Sequence, residues 1–390
     1  MNAIPINRVK KEYKCGTQRA VEPKKTLDKI RPLMEEIGVV DVFETTDNDR
    51  TKIPVFSAIR PAAAWGGTKI NYGKGVTSDE AKASAMMEAI ERFSAEYRGE
   101  RMEFASYEQL GLTKALDPKE LILPREMQIG EETHWILAWD LLGETEMHVP
   151  ANAVYHPYDP LGMAQQLFRS DANGLAAGNV REEAILHAMY EVIERDALSC
   201  AEKNRFLGKR LVIDTEGPLL NLLNKFEDQG IIIHLWYIDG KTGVHTVAAA
   251  ADDELTKDPQ MLVIGSGSHL SPEIAAFRAL TEVAQRRGRN IRGDIENKSR
   301  VAIVEKAGYE RLKRINRIWF EEAKDEVKFS EIPDKSTDFL DEDLKIILKD
   351  LEEHTDSVFV ADLSKTEIPV VRVIIPGFEV SYTDSSRRKK

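Results

Sequence analysis

The chain has 390 residues, 42% of them hydrophobic and 31% charged, with a net charge of −12. That length holds one large α/β domain or two to three smaller ones, with a sizeable core, and the acidic balance argues against broad contact with nucleic acid. The two cysteines, Cys15 and Cys200, exclude a disulfide framework or a Cys-x-x-Cys metal pair, and no run of about 18 apolar residues is available to span a membrane.

The N-terminus carries Arg8, Lys10 and Lys11 but no apolar core like that of a signal peptide, which points to the reducing cytoplasm. A helix is expected over residues 26–37, capped by Thr26 and closed by Gly38, although Pro32 weakens it; strand-like runs follow at 39–43 and 53–59. A long helix is expected over 78–97. Residues 135–142 and 146–149 form one predicted hairpin, 231–238 and 245–250 another. From 294 to 341 the chain is charged and less periodic, which suggests an exposed helical insertion near 304–315 and loops around Pro333. A last helix over about 341–354 precedes strands at 358–361 and 370–375. No low-complexity linker divides the chain, so one continuous α/β unit with a smaller N-terminal portion is expected. The closing Arg387, Arg388, Lys389 and Lys390 read as a solvated tail.

The sequence repeats itself. Laid on residues 178–195, residues 75–92 coincide at Gly75/Gly178, Glu80/Glu183, Ala81/Ala184, Ala85/Ala188, Met86/Met189, Glu88/Glu191, Ile90/Ile193, Glu91/Glu194 and Arg92/Arg195. A weaker third copy places Ala275, Ala279, Glu282, Gln285 and Arg286 on Ala184, Ala188, Glu191, Glu194 and Arg195, with glutamine in place of one acid. Each copy follows glycines (Gly73 and Gly75; Gly174 and Gly178; Gly265 and Gly267), so all three read as a turn followed by a helix. The copies are too far apart for a solenoid and suit three supersecondary units around a shared centre.

Positions three and four apart share a helix face, so Ser84, Glu88, Glu91 and Arg92 gather on one side and Met86, Ile90, Phe93 and Tyr97 on the other. Ala81 and Ala85 leave room between the acids for a ligand or a second helix. The second helix repeats this with Glu183, Glu191, Glu194 and Arg195 against Met189, Ile193 and Ala197. One Glu-x-x-Glu-Arg alone reads as a surface helix whose ion pair contributes about 0.2–0.5 kcal/mol. Three copies in one helical phase favour a site, because a solvated face needs charge but not the same charges in register. If the helices converge, Glu88, Glu91, Glu191 and Glu194 repel one another unless cations sit between them. Carboxylates without imidazole or thiolate favour hard ions, Mg²⁺ above all, and Mg²⁺ shares its shell with polyphosphates. Arg92, Arg195 and Arg286 then neutralise phosphates or hold the carboxylates. Tyr72-Gly73-Lys74-Gly75 lacks the Ser or Thr and the glycine spacing of a P-loop, while Gly265-Ser266-Gly267-Ser268 reads as a plain turn, with a phosphate nest as the alternative. His187 has equal claims to a polar packing role and a site role, and Cys200 reads as buried packing.

These residues resemble the YcaO family of ATP-dependent amide-activating enzymes. The likeness is carried by Gly73-Lys74-Gly75 and Ala81, then Ser84-Ala85-x-x-Glu88-Ala89-Ile90-Glu91-Arg92, a second Glu191-x-x-Glu194-Arg195 and a later Glu282-x-x-Gln285-Arg286. The resemblance implies an α/β (α+β) fold of three related turn-helix-sheet units around a central Mg–ATP site. Residues 1–72 are then an N-terminal segment contributing to that site, and 73–390 the YcaO domain. It assigns Glu88, Glu91, Glu191 and Glu194 to Mg²⁺, and Ser84, Arg92, Asn179, Glu183 and Arg195 to ATP. Glu282, Gln285 and Arg286 complete the pocket, and Lys14 and Arg19 resemble N-terminal basic positions that reach phosphates. No catalytic residue is assigned. In the implied chemistry a nucleophile attacks a peptide carbonyl, ATP phosphorylates the oxyanion, and phosphate leaves with the former carbonyl oxygen. External sulfide then gives a thioamide, and a neighbouring Cys, Ser or Thr an azoline. A proline-rich C-terminal tail and a fused leader-recognition domain are not evident. In this the chain resembles archaeal members that thioamidate a glycine of methyl-coenzyme M reductase with a sulfide-supplying TfuA-type partner. Azoline formation and a non-catalytic ATP-binding scaffold are the alternatives, and a homodimer is left open.

Overall fold

The computed structural model describes residues 4–293 and 298–381; the basic tail at 387–390 lies outside them. A hairpin, β1 (Tyr13–Cys15) and β2 (Thr17–Arg19), leads into α1 (Pro23–Ile30) and α2 (Leu33–Glu36). The single helix expected over 26–37 is therefore two, because Pro32 has no N–H to donate and its ring crowds the preceding turn. Thr26 lies inside α1 and is not its cap; its hydroxyl bonds Asn179 Oδ1 at 2.9 Å and ties α1 to the second repeat unit.

An antiparallel sheet of β3 (Asp41–Glu44), β4 (Val55–Ile59) and β5 (Ile70–Lys74) follows, with α3 (Ser78–Ala95) packed on it. Thr77 and Glu80 close a reciprocal capping box at the start of α3. Then come β6 (Glu103–Ser106), α4 (Tyr107–Leu110), β7 (Glu132–Asp140), β8 (Thr145–Pro150), β9 (Leu175–Ala177) and α5 (Arg181–Asn204). The next group is β10 (Lys209–Val212), α6 (Pro218–Glu227), β11 (Ile231–Ile238), β12 (His245–Asp253), β13 (Val263–His269) and α7 (Pro272–Arg292). The chain continues through α8 (Lys298–Ala307), α9 (Tyr309–Ile315), β14 (Glu326–Lys328), α10 (Leu340–Leu351), β15 (Phe359–Asp362) and β16 (Val370–Ile374). Both predicted hairpins are present as β7–β8 and β11–β12, and the expected insertion is α8 with α9. One sheet runs β6-β7-β15-β16-β9 with β8 on β7; another runs β13-β12-β11-β10-β14, antiparallel except at β10–β14.

The repeat is structural. Helix α3 packs on β5, α5 on β9 and β16, and α7 on β13 and β12. A Cβ built on Gly73 would lie 2.0 Å from Ala81 O, one on Gly178 2.5 Å from Ala184 N, and one on Gly267 2.4 Å from Ala275 O. At Gly73 and Gly267 strand and helix backbones touch, and Gly178, just after β9, meets the first turn of α5. Ala81 and Ala85, expected to admit a ligand or a second helix, admit the strand β5 at Gly73 instead. Of the glycines expected in turns, Gly73 lies in β5 and Gly265 and Gly267 in β13, while Gly75, Gly174 and Gly178 lie outside the strands.

The apolar faces of the three helices form the cores: Met86 and Ile90 of α3, Met189 and Ile193 of α5, and Ala279 and Val283 of α7 are all buried. Cys200, expected to be buried, is only partly so, and Cys15 is exposed. Arg287 of α7 is 1% exposed and holds Asp49 through Nε and Nη2 (2.9 and 3.1 Å) and Asp253 through Nη1 (3.1 Å). This pins the third helix to the segment before β4. Among the described residues no helix is long and apolar enough to cross a membrane.

Candidate functional site

Helices α3, α5 and α7 each turn one face to a common cleft, about 1380 Å³ of void counted out to its open mouth, with β2 and the start of α1 on one side. The repeat dictates what lines it. Ser84, His187 and Arg278 share one repeat position, Glu88, Glu191 and Glu282 the next turn, and Glu91, Glu194 and Gln285 the turn after; all nine line the cleft. Arg92, Arg195, Arg19 and Asn179 line it too.

Three of the residues singled out from sequence are not in that lining. Lys14 is exposed and paired with Asp338. Glu183 is buried behind the wall, where its carboxylate accepts from Ala20 N (2.8 Å), Asn179 N (3.2 Å) and Asn179 Nδ2 (3.0 Å) and so fixes the chain around the cleft. Arg286 lies back along α7 against Glu282, Nη2 to Oε1 2.7 Å.

Other residues complete the site. Lys74, at the end of β5, reaches across to Glu282 (Nζ–Oε2 3.3 Å). Arg278 donates to His187 Nδ1 at 3.3 Å and stands 3.9 Å from Glu194. Ser266 donates its hydroxyl to Glu194 Oε1 at 2.6 Å. Arg278 was recoverable from the repeat, since it falls on the position of Ser84 and His187; Lys74 crosses between units, which spacing within one element does not reveal. The Gly265–Ser268 segment is neither turn nor nest: it is strand, and its Ser266 N–H faces a carboxylate.

Tyr72 and Ser266 are repeat equivalents, and each donates its backbone N–H at 3.0 Å, to Glu88 Oε2 and Glu282 Oε2 respectively. In the second unit the equivalent Leu175 N–H goes to Ala172 O at 3.0 Å, so Glu191 lacks this support from its strand. Burial pushes the Glu91 carboxyl up to about 8 against the pull of Arg92, with Glu191 and Glu88 adding to the rise. Burial raises Glu191 as well. Glu282 goes the other way: burial would raise it, but Lys74, Arg286 and Arg195 together hold it well below the usual carboxylate range. Burial, then the nearby Arg278, Arg19 and Lys74, keep His187 neutral.

The donors fit a hard divalent cation carrying a polyphosphate. Glu88, Glu91, Glu191 and Glu194 offer oxygen alone. Glu194 Oε2 is buried without a hydrogen-bond partner, as are Nε and Nη1 of Arg92, so these atoms can still receive a ligand beside the ion pairs to Arg278 and to Glu88 and Glu91. Among the described residues no three His, Cys, Asp or Glu side chains close around one point. Mg²⁺ keeps waters and phosphate oxygens in its shell.

Glu91 predicts a pH signature. Its carboxyl titrates near 8 in the folded protein against an ordinary 4.5, so between these values the folded, cation-free chain holds the extra proton and its stability falls as pH rises. Cation binding displaces that proton. Affinity for Mg²⁺ with a nucleotide is therefore expected to strengthen about tenfold per pH unit up to about pH 8 and then level off. Calorimetry in buffers of different ionisation enthalpy checks this; a flat affinity without proton release would refute it.

A family model described as YcaO cyclodehydratase, ATP- and Mg²⁺-binding, matches residues 72–379. An uncharacterized protein of Methanothermobacter thermautotrophicus is 47% identical over 375 residues, covering 95% of this chain and 97% of the relative. The structure of YcaO from Methanopyrus kandleri bound with AMPPCP and Mg²⁺ is 32% identical, superposes with a TM-score of 0.81 and is covered to 98% of each chain. An uncharacterized protein in the tfuA 3′ region of Rhizobium leguminosarum bv. trifolii is 30% identical over 291 residues, 69% of this chain and 66% of the relative.

Proposed function

The chain belongs to the YcaO family, and from that premise we propose that it uses ATP and Mg²⁺ to activate a backbone amide, with sulfide as nucleophile and a glycine thioamide, in a protein such as methyl-coenzyme M reductase, as product. The observation that carries the reading is the convergence of Glu88, Glu91, Glu191 and Glu194 on one cleft beside Arg92 and Arg195. Bound ATP and Mg²⁺ supply the phosphoryl group and the charge neutralisation that let the amide oxygen depart as phosphate. The four glutamates would hold Mg²⁺. Arg92 and Arg195 keep their positive charge despite burial, through Glu91 and Glu194 first among their neighbours, and present it to phosphate oxygens. Arg19, Ser84, Asn179, Glu282 and Gln285 are further nucleotide contacts, with Glu183 positioning Asn179; Lys14 and Arg286 stand outside the wall. On this reading residues 1–72 supply one wall through β2 and α1, and 73–390 the rest of the YcaO domain.

A TfuA-type partner as sulfide source is supported by the relative that lies in a tfuA 3′ region. A cytoplasmic setting suits a chain with two cysteines, one of them exposed. The test is to incubate the protein with ATP, Mg²⁺, sulfide and a glycine-containing peptide. The peptide is expected to gain the mass of an oxygen-to-sulfur exchange, with one ADP released per exchange. Loss of one water from a Cys-containing peptide without sulfide would move the assignment to azoline formation. ATP binding with no peptide-dependent ADP release would leave only a scaffold.

A further inference from the structure

We propose that Lys74 is a built-in counter-ion that keeps a divalent cation off the third repeat helix, confining the Mg²⁺ of the cleft to α3 and α5. The proposal rests on the Mg–ATP reading of the cleft given above.

The repeat puts one glutamate at the same place on each helix: Glu88, Glu191 and Glu282. Were sequence position sufficient, each would serve a cation equally. Their surroundings differ. Glu282 already has both oxygens engaged: Oε1 accepts from Arg286 Nε and Nη2 at 3.0 and 2.7 Å, and Oε2 accepts from Ser266 N at 3.0 Å with Lys74 Nζ at 3.3 Å. Glu88 accepts its strand N–H on Oε2 at 3.0 Å and a longer contact from Arg92 on Oε1 at 3.4 Å, with no lysine paired to it among the described residues; Glu191 lacks even the strand N–H.

Lys74 is not part of the repeat. Its equivalents are Ala177 and Ser268, so one strand of the three carries an ammonium, and that strand belongs to the first unit while the ammonium lies against the third. A second contact, Nζ to Arg278 O at 3.4 Å, holds it there. The other half of the motif agrees, since Gln285 stands where α3 and α5 carry Glu91 and Glu194. Glu88 and Glu91 outnumber Arg92, and Glu191 and Glu194 outnumber Arg195. At the matching positions of α7 the one acid is Glu282, faced by Arg286 on the same helix and by Lys74 from β5. An ammonium at contact distance occupies the place an ion needs and supplies part of its charge.

The test counts ions rather than turnover. Mn²⁺ bound per chain in the presence of AMPPCP is read by paramagnetic resonance of the free ion. Lys74→Met is expected to bind one more Mn²⁺ than the parent chain, Lys74→Met with Glu282→Gln to return to the parent count, and Lys74→Arg to keep it. An unchanged count in folded Lys74→Met overturns the proposal. Should that variant not fold, Glu282→Gln alone decides: an unchanged count supports it, and loss of an ion overturns it, because Glu282 would then be a ligand. A parent chain that binds no Mn²⁺ with AMPPCP overturns the Mg–ATP reading itself, an outcome distinct from either of the others.

Discussion

Replacing Glu191 by glutamine is expected to lower peptide-dependent ADP release by about 100-fold or more, since even outer-shell partners of a metal are worth about 10–100-fold. Glu191 is the member of its repeat position that receives no N–H from its strand, so its charge is the least compensated from within the chain. Burial raises its pKa, which means that the charged form weakens the cation-free fold. An amide of the same shape removes that cost. The melting midpoint without ligand should therefore stay level or rise, while the upward shift given by Mg²⁺ with AMPPCP should disappear. Differential scanning fluorimetry reads both quantities. A lowered midpoint with the ligand shift intact would assign Glu191 to packing rather than to cation binding.

Arg287→Ala is the substitution expected to damage the fold most, by about 3–5 kcal/mol, because it removes one partner from a buried ion-pair cluster. Asp49 and Asp253 are 5% and 0% exposed, and without the guanidinium they are left facing a cavity, with Arg50 still paired to Asp253 at 2.7 Å. Burial would raise the Asp253 carboxyl, but hydrogen bonds from Arg50 and Thr256 and the charge of Arg287 lower it to about 2. A depressed carboxylate stabilises the fold above its unfolded value of 3.8, and that contribution fades as pH falls toward 2. The parent chain should thus lose this stability in acid, and the variant should show a shallower acid transition. Urea denaturation at neutral pH and across the acid range from 3.8 down to about 2 measures it. Replacing all three members by Met and Asn together should recover much of the loss, since the penalty comes from stranded charge. If Arg287→Ala melts like the parent, α7 is held by its apolar face alone.

What the sequence disclosed followed from symmetry. Matching residues 75–92 to 178–195 and the third copy located three helices, their phase and the acidic positions that line the cleft, because a helix repeats its face without help from the rest of the fold; Arg278, on the position of Ser84 and His187, went unnamed. Contacts that cross between units left no such trace. Lys74 looked like part of a failed phosphate loop, yet it matters through Glu282, far along the chain. Gly265 to Ser268 had the composition of a turn, but the glycines serve the approach of α7 to a strand, a tertiary demand that local propensity does not encode. Glu183 recurred with the acids and was grouped with them; its register faces Ala20 and Asn179 instead. Pro32 outweighed the periodicity on either side of it, as the loss of an N–H inside a helix requires.

The contacts at Gly73, Gly178 and Gly267 bear on how the cleft works. With no side chain between strand and helix there is nothing to compress, so each unit behaves as a stiff plate and its glutamates travel with its strand. A nucleotide of changing shape, before and after losing a phosphate, cannot be followed by bending any one wall. The width of the cleft is set at the seams between plates, where Thr26 meets Asn179 and Lys74 meets Glu282. Substitutions at those seams are therefore expected to change the rate at which nucleotide leaves the cleft while leaving each wall as it was.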